Sequence, residues 1–187
     1  IPEVGSISQP SLEKIVSLKP DLILGTQYQK NYYRLLSAIA PTVLIDIHKM
    51  DDFKEMLQYI SQILGKRDYA EVILTQYQQR IQQLQQQLRK NLKTITISVV
   101  ALAGQNIYTY SPDSTVDGQI FRDIGLRRPL IQENQKEGSL LSSIEVLPEH
   151  DADVLFVIAD WTKASPEPLY FLKKPIWSQL KAVQNNQ

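Results

Sequence analysis

Side chains do chemistry only where reactive types converge. The two histidines, His48 and His150, lie far apart in the sequence, each in a loop among charged neighbours. Neither belongs to a His-x-x-x-His pair or to a carboxylate cluster at metal-ligand spacing. The chain has no cysteine, which excludes thiolate metal sites, cysteine nucleophiles and disulfides. No G-x-S-x-G elbow, Walker A loop or G-x-G-x-x-G fingerprint occurs, and seven glycines leave no phosphate-cradling loop. The sequence therefore predicts no catalytic residue, no metal ligand and no resident cofactor.

Binding chemistry is better represented. Thr26-Gln27-Tyr28 follows the apolar run Leu22–Leu24, and Asp160-Trp161-Thr162-Lys163 follows a second run from Val154 to Ala159. In open α/β sheets ligands lie beyond the carboxyl ends of strands. An aromatic ring beside hydrogen-bonding groups suits a bulky, partly polar organic molecule. Tyr28 and Trp161 either contact such a ligand or cover the strand ends.

The elements that would position these residues repeat. Ser11-Leu12-Glu13 and Asp21 recur as Ser143-Ile144-Glu145 and Asp153, each pair 132 positions apart. Each copy reads as a polar cap, a short amphipathic helix, a turn and a buried strand of parallel type. Flanking segments read as helices over 10–18, 31–40, 51–64 and 117–124, and as strands over 42–45, 94–102 and 108–110. The longest stripe, Ala70, Leu74, Tyr77, Ile81, Leu84 and Leu88, has a glutamine-rich opposite face. It fits a rigid helix crossing from one lobe to another, or a coiled-coil dimerisation helix; its length falls short of the three heptads the second usually needs. At 187 residues, with 43% apolar content, 20 basic and 20 acidic residues, the composition is globular and its balanced charge points to no nucleic acid.

Several segments together resemble the periplasmic ferric-siderophore and vitamin B12 substrate-binding proteins of ABC importers. They are Gly5 … Pro10-Ser11-Leu12-Glu13-Lys14-Ile15 … Lys19-Pro20-Asp21-Leu22-Ile23, Ile39-Ala40-Pro41-Thr42-Val43, Ile63-Leu64-Gly65-Lys66, Asp117-Gly118-Gln119-Ile120 … Asp123-Ile124-Gly125, and Pro175-Ile176-Trp177 … Leu180-Lys181-Ala182-Val183. The resemblance implies an α/β fold of two Rossmann-like lobes joined by a single long helix, the class III periplasmic-binding-protein architecture. The expected division is 1–66, 67–92 and 93–187, with each lobe lacking an end that relatives carry. The implied function is extracytoplasmic binding of an iron-siderophore complex in the inter-lobe cleft, by a monomer, and delivery to an ABC importer permease. The implied location is the periplasm, or a lipid anchor on the outer face of the cytoplasmic membrane. Expected ligand contacts are Gln27 and Tyr28, with Tyr108, Ser114, Lys136, Trp161 and Lys163. Arginines that clamp anionic chelates in relatives are absent at Ile7 and in Ser114–Gly118, which favours a hydroxamate or mixed citrate-hydroxamate chelate. Arg34 and Gln119 stand where relatives present glutamates to the transporter, and Asp117 and Asp123 are the expected substitutes. Other readings are a cobalamin or haem carrier, an α/β enzyme binding a nucleotide or sugar, and a module that dimerises through the glutamine-rich helix.

Overall fold

The computed structural model describes residues 2–47, 49, 52–136, 138–158 and 172–185. It is α/β, and the chain divides into two compact units, Ile1–Asp51 and Asp52–Gln187. The expected division was 1–66, 67–92 and 93–187; in the structure the helix that follows residue 51 groups with the second unit.

In the first unit, helix α1 (Leu12–Ser17) precedes strand β1 (Ile23–Thr26), a 3₁₀ segment (Gln27–Tyr32), helix α2 (Tyr33–Ser37) and strand β2 (Thr42–Ile45). The two strands pair in parallel, Ile23 opposite Thr42. Pro41 disfavours helical backbone in the residue before it, which stops α2 short and starts β2. Ile15, Leu36, Ala40 and Ile45 form the core. The Ser11 hydroxyl makes no capping bond to α1, contrary to expectation, and only its backbone carbonyl joins the helix, accepting from the Ile15 N–H at 3.0 Å.

The second unit holds a four-stranded sheet in the order β5-β4-β3-β6. Its strands are β3 (Ile97–Ala103), β4 (Asn106–Tyr110), β5 (Ser139–Ser143) and β6 (Val154–Ile158). β3 and β6 run parallel, and β4 is antiparallel to both β3 and β5. Val100, Ile107, Ile144, Leu147 and Leu180 form its core. Asp153, the repeat's second aspartate, fixes the amino ends of β3 and β6. Its carboxylate accepts from the Thr96 N–H at 2.8 Å and the Thr96 hydroxyl at 2.9 Å, and pairs with Lys181. Those bonds, the one from Lys181 foremost, lower its pKa to about 2. The second copy of the repeat differs from the first between cap and strand. Ile144–His150 is a 3₁₀ segment that contains Pro148, which lacks the N–H an α-helical turn would use. Ser143 does cap it, accepting from the Glu145 N–H.

Helix α3 (Phe53–Ile63) starts at Asp52, whose side chain accepts from the Lys54 N–H at 2.7 Å. Helix α4 (Arg67–Leu88) is unbroken over 22 residues, buries Ala70 and Ile81, and shows glutamines on its outer face. Helix α5 (Val116–Ile124) ends at Gly125, which has φ 88°. Helix α6 (Leu130–Glu133) follows, and two short turns, Pro175–Ser178 and Lys181–Gln184, close the unit.

The turn 111–114 lies directly on the first turn of α5. A Cβ at Gly118 would overlap the Pro112 carbonyl, a backbone atom that cannot swing aside. Gly118→Ala should therefore destabilise the second unit by about 1–3 kcal/mol, read as a lower urea midpoint; an unchanged midpoint would mean that the turn does not hold this position in solution.

Candidate functional site

Of the expected ligand residues on the first unit, Gln27 and Tyr28 follow β1 without a gap. Thr26 ends the strand, its N–H donating to the Gln29 side chain at 2.7 Å, and the chain turns into the 3₁₀ segment that carries both residues. Tyr28 is 51% exposed. Gln27 is half-buried; its amide oxygen accepts from the Ile47 N–H at 3.0 Å, and its amide nitrogen is buried without a hydrogen-bond partner. The side chain thus tethers the segment after β2 to the end of β1, and its nitrogen is the polar atom still to be satisfied.

On the second unit, Tyr108 lies on β4 with its ring against that of Tyr110, centroids 6.5 Å apart. Ser114 is exposed, and its hydroxyl donates to the Ser111 carbonyl at 3.0 Å. Lys136 is exposed, and its carbonyl accepts from the Ser111 hydroxyl at 3.3 Å. Ser111 thereby joins two residues that are 22 positions apart. Because β4 runs against β3 and β6, its trailing turn sits toward the amino ends of those strands, whereas the carboxyl-end rule points to their other end. Trp161 and Lys163 lie outside the described residues.

Of the expected docking groups on α5, Gln119 and Asp123 turn inward. Gln119 is 2% exposed; its amide oxygen accepts from the Phe53 N–H at 3.0 Å, which also satisfies an orphan donor of the first turn of α3. Asp123 accepts from Lys54 Nζ and from the Tyr77 hydroxyl, both at 2.7 Å, and joins α3, α4 and α5. Burial by itself would raise the Asp123 pKa, but these hydrogen bonds and the Lys54 charge outweigh it and hold the carboxyl below its usual range. Burial, together with the bond to Asp123, pushes the Tyr77 phenol up. Asp117 pairs at 2.8 Å with Arg128, whose side chain is 6% exposed and whose guanidinium lies 5.5 Å from the Phe121 ring centre. Gln119 is thus buried and Asp123 largely shielded, while Asp117 stays 38% exposed beside its Arg128 partner. Amphipathic spacing could not show this, since polar residues at these positions read as a solvated face. Arg34 is exposed on α2.

His150 is a core residue. It is 1% exposed, and its Nδ1 lies 3.4 Å from the amide nitrogen of Gln132, which also donates to the Ser98 hydroxyl at 2.7 Å. Its Nε2 is buried without a partner. Among the described residues no group of three or more His, Asp or Glu could hold a metal ion. His48 lies outside the described residues. An apolar cavity of about 410 Å³ lies in the first unit between α1 and β1, lined by Ile7, Ile15, Leu18, Leu24 and Leu36 among others. It contains none of the expected ligand residues.

Comparison with known proteins gives this geometry its context. The periplasmic binding protein family model matches residues 1–187. The achromobactin-binding periplasmic protein of Dickeya dadantii is 32% identical over 194 residues, which cover 100% of this chain and 63% of that protein. The chain thus spans less than two thirds of the length of this relative. The structure of Staphylococcus aureus SirA complexed with staphyloferrin B matches with a TM-score of 0.78 and 29% identity, over 98% of this chain and 66% of that one. A periplasmic binding protein component of a Fep/Fec-like ferrichrome ABC transporter from Bacillus subtilis matches with a TM-score of 0.81 and 29% identity, over 94% of this chain and 65% of that one. Among the described residues no helix is long and apolar enough to cross a membrane.

Burial lowers the pKa of His150, against a smaller opposing effect from Glu149. As pH falls through about 6.5 the unfolded chain takes up a proton that the folded one refuses, so stability should fall by up to about 1.4 kcal/mol per pH unit. Urea melts at pH 7 and pH 5.5 should show this loss, and His150→Gln should flatten it. An equal loss in both proteins would place the titrating group elsewhere.

Proposed function

The chain belongs to the periplasmic binding protein family, and we propose that it is the part of an extracytoplasmic substrate-binding protein that holds a ferric siderophore for a membrane ABC importer. The likeness of nearly the whole chain to a protein whose structure holds staphyloferrin B carries this reading. The achromobactin-binding and ferrichrome-transporter relatives support it. In this proposal the protein is a monomer that binds without catalysis and without a resident cofactor. It works in the periplasm or from a lipid anchor on the outer face of the cytoplasmic membrane. Gln27 and Tyr28 supply contacts from the first unit; Tyr108, Ser114 and Lys136 supply them from the second, with Trp161 and Lys163 as further candidates. The half-exposed Tyr28 ring offers apolar contact, and the unsatisfied Gln27 amide nitrogen offers a donor. For delivery, Arg34 and the partly exposed Asp117 are candidate contacts with the permease, whereas Asp123 is bonded to Lys54 and Tyr77 within the second unit.

The test is fluorescence titration of the protein at its natural length with ferric tris-hydroxamate, ferric citrate-type and ferric tris-catecholate chelates, with cobalamin, haem and ATP in parallel. A ferric chelate should bind, and Tyr28→Ala should weaken it by about 1–3 kcal/mol, the scale of an aromatic anchor. Binding of cobalamin, haem or ATP with none of a ferric chelate would overturn the reading.

A further inference from the structure

Along its edge toward β4, strand β3 has three successive partners. The Ile97 N–H donates to the Arg127 carbonyl at 2.8 Å. β4 pairs with the far end, Ala101 to Ala103. Between them the Gln132 side chain of α6 takes the place of a strand. Its amide oxygen accepts from the Val99 N–H at 3.4 Å, and its amide nitrogen donates to the Val99 carbonyl at 3.3 Å. These two opposed contacts with one residue's backbone fix which way the amide faces.

That orientation decides the protonation of His150. The amide nitrogen of Gln132 also donates to the Ser98 hydroxyl at 2.7 Å and lies 3.4 Å from His150 Nδ1. An N–H faces the ring, so Nδ1 must accept, and the ring proton sits on Nε2 in the neutral form. A second proton would set N–H against N–H. Turning the amide over would relieve that conflict but give up both contacts with Val99. Ser98, Gln132 and His150 are all within 1% of complete burial, so water has no access to replace the lost bonds.

The 3₁₀ segment that ends at His150 packs against α6, β4, β5 and the turn Pro175–Ser178. It carries Glu145 and Glu149, α6 carries Glu133, β4 carries Tyr108 and Tyr110, and Lys174 precedes the turn; β5 has no titratable residue. Asp151 follows the histidine, and its carboxylate accepts from the Ala152 and Lys181 N–H groups. Of these groups Glu149 favours the charged ring, and burial outweighs it. We infer that the Gln132–His150 contact is an acid-sensitive latch: protonation of the imidazole frees α6 from β3. α6 leads into Gln135 and Lys136, which are bonded to Thr109 and Ser111 at the end of β4. Opening therefore loosens the surroundings of Lys136 and Ser114, and acid should weaken ligand binding. That consequence rests on the siderophore reading above; the latch itself does not.

The test uses wild type and His150→Gln at natural length. NMR of the imidazole at pH 7.5 should show the proton on Nε2. Hydrogen exchange, corrected for its intrinsic pH dependence, should show the protection of amides 130–135 falling roughly tenfold between pH 7.5 and pH 5.0. A local opening exposes little surface, so 0.5 M urea should leave this exchange unchanged. In His150→Gln the protection should stay within about threefold, since the linked proton is gone. Affinity for a ferric tris-hydroxamate should fall with pH in parallel in the wild type and hold in the variant. A proton on Nδ1, unchanged protection in the wild type, an equal fall in both proteins, or a urea dependence equal to that of the β6 amides would each overturn the latch. Should the variant not fold, the wild-type tautomer and exchange decide alone. An opening that leaves affinity unchanged would overturn the coupling to the ligand. A wild type that binds no ferric chelate would overturn the siderophore reading, and the exchange would still decide the latch.

Discussion

The second unit depends on the need of buried polar groups for partners. Helix α5 carries Asp117 and Gln119 on its first turn and Asp123 one turn later; they meet the Arg128 guanidinium, the first free N–H of α3, and the Lys54 and Tyr77 side chains of α3 and α4. A buried donor or acceptor left unmatched costs roughly 1–3 kcal/mol, and more if charged. These contacts therefore fix where α3 and α4 start and lie relative to α5. They also explain why α3 packs with the second unit although it follows the first in sequence.

The same rule operates on the other side of the sheet. Gln132, fully buried, donates to the Ser98 hydroxyl and lies within reach of His150. Its amide oxygen accepts weakly, at 3.4 Å, from the Val99 N–H of β3. A glutamine can bridge in this way because it carries both donors and acceptors. Burial disfavours the charged form of the histidine at the end of the bridge, and its environment suits packing rather than proton transfer.

The sequence was most legible where local signals agreed. Apolar runs after Asp21 and Asp153 became β1 and β6, and the long stripe from Ala70 to Leu88 became one helix. The short helix read from the second repeat is a 3₁₀ segment instead, with Pro148 inside it. The roles of Gln119 and Asp123 were not legible, because the partners that draw them inward lie up to 69 residues away. The pairing of Ser114 and Lys136 with Ser111 was hidden for the same reason, a loop returning to the end of β4.

The glutamine face of α4 has a separate consequence. From Gln76 to Gln87 it carries eight glutamines and one charged residue, Arg80. Amides do not titrate, and they make no ion pairs for dissolved salt to weaken. The hydration of this helix should therefore stay nearly constant across wide swings of ionic strength and acidity.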